Sequence, residues 1–422
     1  MQLIEFGTIM NMAKGKKSAN QSQVKKDGYM PYVDIKAFET NTVENYTDGV
    51  KCLPCNEGDI LIVCDGSRSG LVGKAIDGYV GSTLAKITAD GMMQNYLFYF
   101  LQGKYALLNT KKKGTGTPHL NPDLLKKQKL LVPPLPEQER IVTRIEELFS
   151  ELDKAVETLQ TTKQQLAVYR QAVLKEAFEG KLTEAWRELF SMESPQTDFE
   201  SIFRPNEVFK DTSGDENEIN LFLPDLWKKV RLGEVFEVQV GATPSRRIPE
   251  YWNGDINWVS SGEVHFNSIF RTNEQITEEG LAHASTNVHP IGTVMLAMIG
   301  EGKTRGQAAI LNIEAAHNQN TAAILVSKTP CSPKYIYYFL QMNYDNTRRV
   351  GSGNNQKALN KERVRALRFP FTSFAEQQQI VKEIESRLSV CESIEQTVDT
   401  ALAQADAMRQ SILKQAFEGG FN

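Results

Sequence analysis

Residues 137–180, EQERIVTRIEELFSELDKAVETLQTTKQQLAVYRQAVLKEAFEG, and residues 376–419, EQQQIVKEIESRLSVCESIEQTVDTALAQADAMRQSILKQAFEG, align without a gap at an offset of 239. Both open on Glu-Gln and Ile-Val, and both close on AFEG. The same offset carries back to YLFYFLQ (96–102) against YIYYFLQ (335–341), and to Gly114, Leu120 and Asn121 against Gly353, Leu359 and Asn360. Farther upstream, GDILIVCDG (58–66) meets GTVMLAMIG (292–300) and GYMPYV (28–33) meets GDINWV (254–259). A chain that repeats in this way folds as copies of one supersecondary unit, here a globular part followed by a long helix. The boundaries read as a first globular part at 1–134, a helix at 135–190, an acidic linker at 191–222, a second globular part at 223–370 and a second helix at 371–422.

The helical segments carry heptads. Ile145, Leu152, Leu159, Leu166 and Val173 recur every seven residues, and Ile141, Leu148, Ala155, Thr162 and Tyr169 form a second row. The later copy repeats the scheme with Ile384, Cys391, Val398, Ala405 and Ile412 beside Ile380, Ile394, Ala401 and Met408, with Arg387 interrupting the second row. Alternating spacings of four and three are the signature of a coiled coil. Gly180 and Gly419 supply stops, and 44 residues make a rod of about 65 Å. Two such rods in one chain can pair, and an antiparallel pairing sets the globular parts at opposite ends. Small residues (Ala401, Ala403, Ala405, Ala407) and the recurring Phe178 and Phe417 leave outer faces on which a partner could dock.

Composition narrows the function. The chain has 422 residues and a net charge of −4, enough for several domains. No apolar run is long enough for a membrane span, and the start lacks the layout of a secretory signal, so a cytoplasmic location is expected. Five scattered cysteines argue against a disulfide framework. Cys52 and Cys55 have no second ligand pair at metal-site spacing, and the nearest histidine, His119, is remote, so no metal is expected. The charge is uneven: 1–134 sums to +5, 223–370 to +4 and the linker to −6. Two mildly basic parts separated by acidic helices suit a polyanion bound at two places.

Candidate contacts lie at matching places in both copies. They are Lys14, Lys16, Lys17, Lys111, Lys112, Lys113, Thr115 and Thr117 in the first copy. In the second they are Arg246, Arg247, Arg348, Arg349, Asn354, Asn355, Gln356 and Lys357. Amide and guanidinium side chains can read base edges in pairs of hydrogen bonds. Solvated surface is the plain alternative for each residue alone; recurrence of basic loops with differing residues favours a shared framework with diverged reading surfaces.

AMIGEGKT (297–304) fits the relaxed pattern of a phosphate-cradling nucleotide loop. The repeat argues otherwise, because it aligns with VCDGSRSG (63–70), where Lys303 meets Ser69 and Gly302 meets Arg68. What persists is strand, basic glycine loop, strand. Arg68 and Lys74, with Lys303 and Arg305, become candidates for a nucleic-acid phosphate backbone.

The chain resembles the specificity subunit of type I restriction-modification systems. The resemblance rests on LPDLWKKVRLGEVFEVQVGATPS (223–245), YWNGDINWVSSGEV (251–264), GTVMLAMIG (292–300), PPLPEQERIV (133–142) and AFEGKLT (177–183), and it spans nearly the whole chain. It implies two target recognition domains of mixed α/β fold joined by two long antiparallel coiled-coil helices. Each domain would read half of a split site in double-stranded DNA, with the helices setting the gap; about 65 Å compares with two turns of B-DNA at ~34 Å. The resemblance further implies two methyltransferase subunits that methylate adenine with S-adenosylmethionine, translocating restriction subunits as further partners, and neither cofactor nor catalytic residue in this chain. One departure stands out: the first copy begins at LIEFGTIMNM, without the LPDLWKKVRL lead.

Two other classes compete. A DNA adenine methyltransferase needs an Asn/Asp-Pro-Pro-Tyr/Phe turn for a flipped base, and the sequence has none. A coiled-coil adaptor or inhibitor without DNA reading of its own would explain the rods but not the paired basic domains.

Overall fold

The computed structural model describes residues 3–110, 118–190, 202–204, 221–300, 302–349, 359–418 and 420–421, the Arg349 side chain excepted. The chain divides into two compact units, residues 1–162 with 397–422, and residues 163–396. Each contains one globular part and portions of both long helices.

In the first unit, a four-stranded sheet runs in the order Met10–Lys14, Leu84–Ala89, Ile60–Val63, Val72–Lys74. A five-stranded sheet runs Gln21–Ser22, Tyr46–Thr47, Met30–Val33, Gly78–Val80, Leu53–Cys55. Ile60–Val63 is a continuous apolar run, as expected of a strand covered on both faces. Successive side chains point to opposite faces. Ile60 and Ile62 therefore join one core with Phe6, Leu97 and Phe100, while Leu61 and Val63 join another with Val33, Phe38 and Val80.

The second unit repeats this logic. Its five-stranded sheet runs Val238–Val240, Thr321–Ile324, Val294–Ala297, Ala308–Leu311, Asn267–Ile269, beside a three-stranded sheet of Glu274–Ile276, Trp252–Val259 and Ala316–His317. Val294 and Leu296 face the core holding Tyr335 and Phe339; Met295 and Ala297 face the one holding Val259 and Leu311. The fold is the mixed α/β class expected, in two copies.

Contacts at the repeat offset show how closely the frameworks agree. Gln138 accepts from the Met93 N–H at 2.8 Å and donates to the Pro133 carbonyl at 2.8 Å. Gln377 accepts from Ser332 N–H at 3.0 Å and donates to the Thr372 carbonyl at 2.8 Å. Tyr96 donates to the Leu131 carbonyl at 3.0 Å, and Tyr335 to that of Pro370 at 2.9 Å. The short start of the first copy conceals less than its sequence suggests. Ile4–Glu5 pairs antiparallel with Lys129–Leu130, just as Lys228–Arg231 pairs with Arg368–Phe371.

One carboxylate differs between the copies. In the second unit Glu376 is buried; its Oε1 accepts from Thr183 at 2.9 Å and from Arg187, and its Oε2 from Trp227 Nε1 at 2.9 Å and Thr372 at 2.5 Å. In the first unit the matching Glu137 is partly exposed and paired with Arg140 at 2.7 and 2.9 Å.

The long helices span Leu135–Phe178 and Phe374–Phe417. The first stops short of the expected 190: Gly180 adopts φ 72°, a left-handed stop, and a 3-10 turn and the short helix Glu184–Phe190 follow. In the first unit Ile141, Val142, Ile145 and Phe149 pack with Ile412, Leu413 and Ala416, and Arg409 pairs with Asp153. In the second, Leu174, Ala177 and Phe178 share a core with Ile380, Val381 and Ile384, and Arg170 pairs with Glu395 at 2.8 Å. Within each unit, partner numbers fall as one's own rise, so the helices run antiparallel.

The row Ile145, Leu152, Leu159, Leu166, Val173 faces inward, as do Ile384, Cys391, Val398, Ala405 and Ile412. The second row holds at Ile141 and Ile380, which are buried, and partly at Thr162 and Ala401, which are half-buried; elsewhere it needs correction. Tyr169, Ile394 and Met408 are 45%, 40% and 54% exposed, and Ala155 is exposed; Leu148 is half-buried. Further inward positions fall one residue later, at Val142, Phe149, Val156, Arg170 and Ala177, with Lys163 of that row exposed, and at Val381, Leu388, Glu395, Leu402, Arg409 and Ala416. Both rows satisfy the four-three spacing. The later one wins because its charged members pair across the seam and the Arg409 guanidinium covers the Phe149 ring at 5.0 Å.

Candidate nucleic-acid interface

The basic side chains are displayed by loops at strand ends. Lys14, Lys16 and Lys17 are exposed around buried Gly15. A Cβ at Gly15 would lie 2.2 Å from the Gly81 carbonyl oxygen, so glycine holds this loop tight against the sheet. Lys14 Nζ donates to Asp65 at 2.9 Å, and His119 Nδ1 lies 2.7 Å from the other oxygen of the same carboxylate. Burial pushes the Asp65 carboxyl up, but the hydrogen bonds from Lys14 and His119 outweigh it and hold the group below the usual range. Arg68 is exposed but ion-paired with Glu39, and Lys74 is exposed with its ammonium 5.4 Å from the Phe98 ring.

In the second unit, Arg247 and Lys303 are exposed. Arg246 lies over the Trp252 ring at 3.7 Å and forks onto Glu274, whose carboxyl the Arg246 hydrogen bonds hold below the usual range. Arg246, Trp252, Asn253, Thr272, Asn273, Glu274 and Gln275 line an open hollow of about 400 Å³. The guanidinium spends two donors on Glu274 and retains others.

The glycine loop 298–307 joins two antiparallel strands, Val294–Ala297 and Ala308–Leu311. A nucleotide-cradling loop joins a strand to a helix, so the strand-loop-strand geometry stands against that reading. Arg305 departs from expectation. It is only 7% exposed, and its Nη2 donates to the Arg348 carbonyl at 2.9 Å while Arg348 Nη1 donates to the Arg305 carbonyl at 3.2 Å. Arg305 ties this loop to the helix Tyr344–Arg349 rather than facing a ligand, and Arg348 is half-buried beside it. Lys303 is the exposed cation of the pair. Replacing it with glutamine should weaken DNA binding alike for all sequences and reduce the log–log salt slope by about one, read by filter binding across a salt series; a change in base preference would contradict a backbone role.

Lys111, Lys112, Lys113, Thr115, Thr117, the Arg349 side chain, Asn354, Asn355, Gln356 and Lys357 lie outside the described residues. Burial pushes the Cys55 thiol up to about 12 and that of Cys64 to about 11, which disfavours the thiolate a metal would need. Two further side chains join these surfaces outside the basic pattern of the sequence, His119 and Trp252. His119 ends the polar stretch GTGTPH, and Trp252 lies in YWNGDINW, where neither belongs to a basic cluster.

A duplicated mixed α/β chain, with paired long helices and exposed basic loops on each copy, defines a two-domain recognition subunit. Both copies match one family model, the type I restriction modification DNA specificity domain, over residues 1–166 and 224–403, and the chain belongs to that family. It is 24% identical to the type I restriction enzyme MjaVIII specificity subunit of Methanocaldococcus jannaschii, across 81% of this chain and 75% of that protein. It is also 24% identical to the EcoBI specificity subunit of Escherichia coli, across 99% and 85%. Among solved structures, a chain from work on complex assembly and conformational transition of the type I R-M system shares the fold with a TM-score of 0.70 at 16% identity, covering 99% of this chain and 97% of that one. The HsdS subunit from Thermoanaerobacter tengcongensis gives 0.53 at 17% identity, covering 99% and 96%.

Proposed function

We propose that this chain is the sequence-reading subunit of a type I restriction-modification complex, its domain at 1–134 reading one half of a split DNA site and its domain at 223–370 the other. The observation that carries this reading is the contrast within the repeat. Gln138 and Gln377, and Tyr96 and Tyr335, keep the same bonds, whereas the exposed loops carry different residues. One framework with two diverged surfaces suits two half-sites of different sequence.

The paired helices set the gap in this scheme, and two methyltransferase subunits dock on them. The exposed Tyr169, Val390 and Ile394 of the second unit and the exposed Met408 of the first supply apolar footing for partner helices. The chemistry, adenine methylation with S-adenosylmethionine, belongs to those partners, and restriction subunits translocate and cut; this chain contributes no catalytic group. Among the described residues no helix is long and apolar enough to cross a membrane, and a cytoplasmic site of action accords with a chromosomal DNA substrate.

Exchanging residues 1–134 for the first domain of another family member tests the division of labour. Methylated adenines mapped in cells carrying the chimera should move to a site altered in one half only. Alteration of both halves would overturn the modular assignment.

A further inference from the structure

Three residues from separate stretches meet at one edge of the first unit. Lys14 ends the strand Met10–Lys14, and Asp65 follows the strand Ile60–Val63. His119 sits on a short segment laid antiparallel to Asp65, fixed by Leu120 N–H to the Cys64 carbonyl at 2.8 Å and Gly66 N–H to the Pro118 carbonyl at 2.8 Å. Asp65 accepts from both neighbours, at 2.9 Å from Lys14 Nζ and 2.7 Å from His119 Nδ1. The Lys14 and His119 side chains are each 53% exposed. Exposed polar contacts of this kind add little stability, so the fold does not call for them.

The second unit supplies a comparison. Its Leu359 N–H donates to the Met298 carbonyl at 3.0 Å, the counterpart of the bond between Leu120 and Cys64, so that in the repeat Ile299 corresponds to Asp65 and, by sequence alone, position 358 to His119. Gly241, like Gly15, follows the first strand of the main sheet and is pressed against a carbonyl, which sets Val240 opposite Lys14. The residues are thus valine, isoleucine and, outside the described residues, Ala358. All three polar groups change together to apolar ones, while the bond from Leu120 to Cys64 keeps its counterpart from Leu359 to Met298. A set that is exchanged whole on an unchanged framework acts as one surface feature.

We propose that Lys14, Asp65 and His119 form a base-reading contact of the first domain, facing the major groove of duplex DNA; this rests on that domain reading a half-site. A carboxylate only accepts, so Asp65 takes the N–H of Nδ1, and in the neutral imidazole this leaves Nε2 as an acceptor. Lys14 gives one donor to Asp65 and keeps two. An acceptor beside a donor matches the amino group of adenine or cytosine next to O6 and N7 of guanine. Asp65 is the positioning residue of the three.

The test uses the chain assembled with its methyltransferase subunits, selecting from duplexes randomised in both half-sites. His119→Asn and the triple variant Lys14→Val, Asp65→Ile, His119→Ala should lose about tenfold discrimination at one or two positions of the first domain's half-site, with the other half selected as before. That intact half also reports folding, and the exposed single variant decides if the triple one fails to assemble. Unchanged preference in both halves, or weaker binding with the same preference, would overturn the contact while leaving the half-site reading in place. A wild-type complex that selects no bases in either half would remove the half-site reading itself.

Discussion

Glu376→Ala lowers the stability of the second unit by about 3–5 kcal/mol, the cost of stripping one partner from a buried ion pair, and so shifts its melting by on the order of 10 °C. The carboxylate is where Thr183, Arg187, Trp227 and Thr372 converge. Without it the Arg187 guanidinium, 17% exposed, is left without its counter-charge, and the Trp227 indole N–H loses its acceptor. The repeat provides an internal control. Glu137 holds the same helical position but meets Arg140 near solvent, so Glu137→Ala should leave melting essentially unchanged. All four tryptophans, Trp186, Trp227, Trp252 and Trp258, lie in the second unit, so their fluorescence follows that unit alone while circular dichroism follows both. Equal, small effects of the two substitutions would show that the buried network does not hold the unit together.

Adding one heptad to each long helix moves the modified site by about three base pairs. Seven residues rise about 10 Å along a helix, against ~3.4 Å per base pair, and matched insertions keep Ile145, Leu152 and Leu159, and Val398 and Ile412, facing inward. The wild-type site should lose methylation entirely, and a site with the same half-sites and a wider gap should gain it. Retention of the original gap would deny the helices their proposed part in spacing.

The recurring framework was legible because its partners recur with it: Gln138 with Gln377 and Tyr96 with Tyr335 are visible as identities at one offset. One row of the helix seam was legible for a similar reason. The other was placed a residue early because hydrophobicity favoured Tyr169, Ile394 and Met408 over Arg170, Glu395 and Arg409. Pairing across the seam, as between Arg170 and Glu395, makes those charges acceptable there, and a single strand of sequence does not display its cross-helix partner. The loops fared worse. Arg305 looked like a surface cation, but its partner is a main-chain carbonyl 43 residues away. Arg246 reads as a free DNA contact in the sequence, yet Glu274, 28 residues on, already holds one side of it. Such pairings are set by tertiary approach, and local composition carries no trace of them.

The placement of Phe417 bears on the order in which the protein can be made. It packs against Tyr96 at 4.9 Å and Phe100 at 5.5 Å between ring centres, and so closes a core with two rings that lie more than 300 residues earlier. A ribosome delivers the second unit, residues 163–396, as one uninterrupted stretch, and that unit can complete itself while synthesis continues. The first domain emerges before that unit and lacks Phe417 until the helix Phe374–Phe417 is complete. Until then an apolar face around Phe100 stays open, so the first unit closes only after the second has been synthesised.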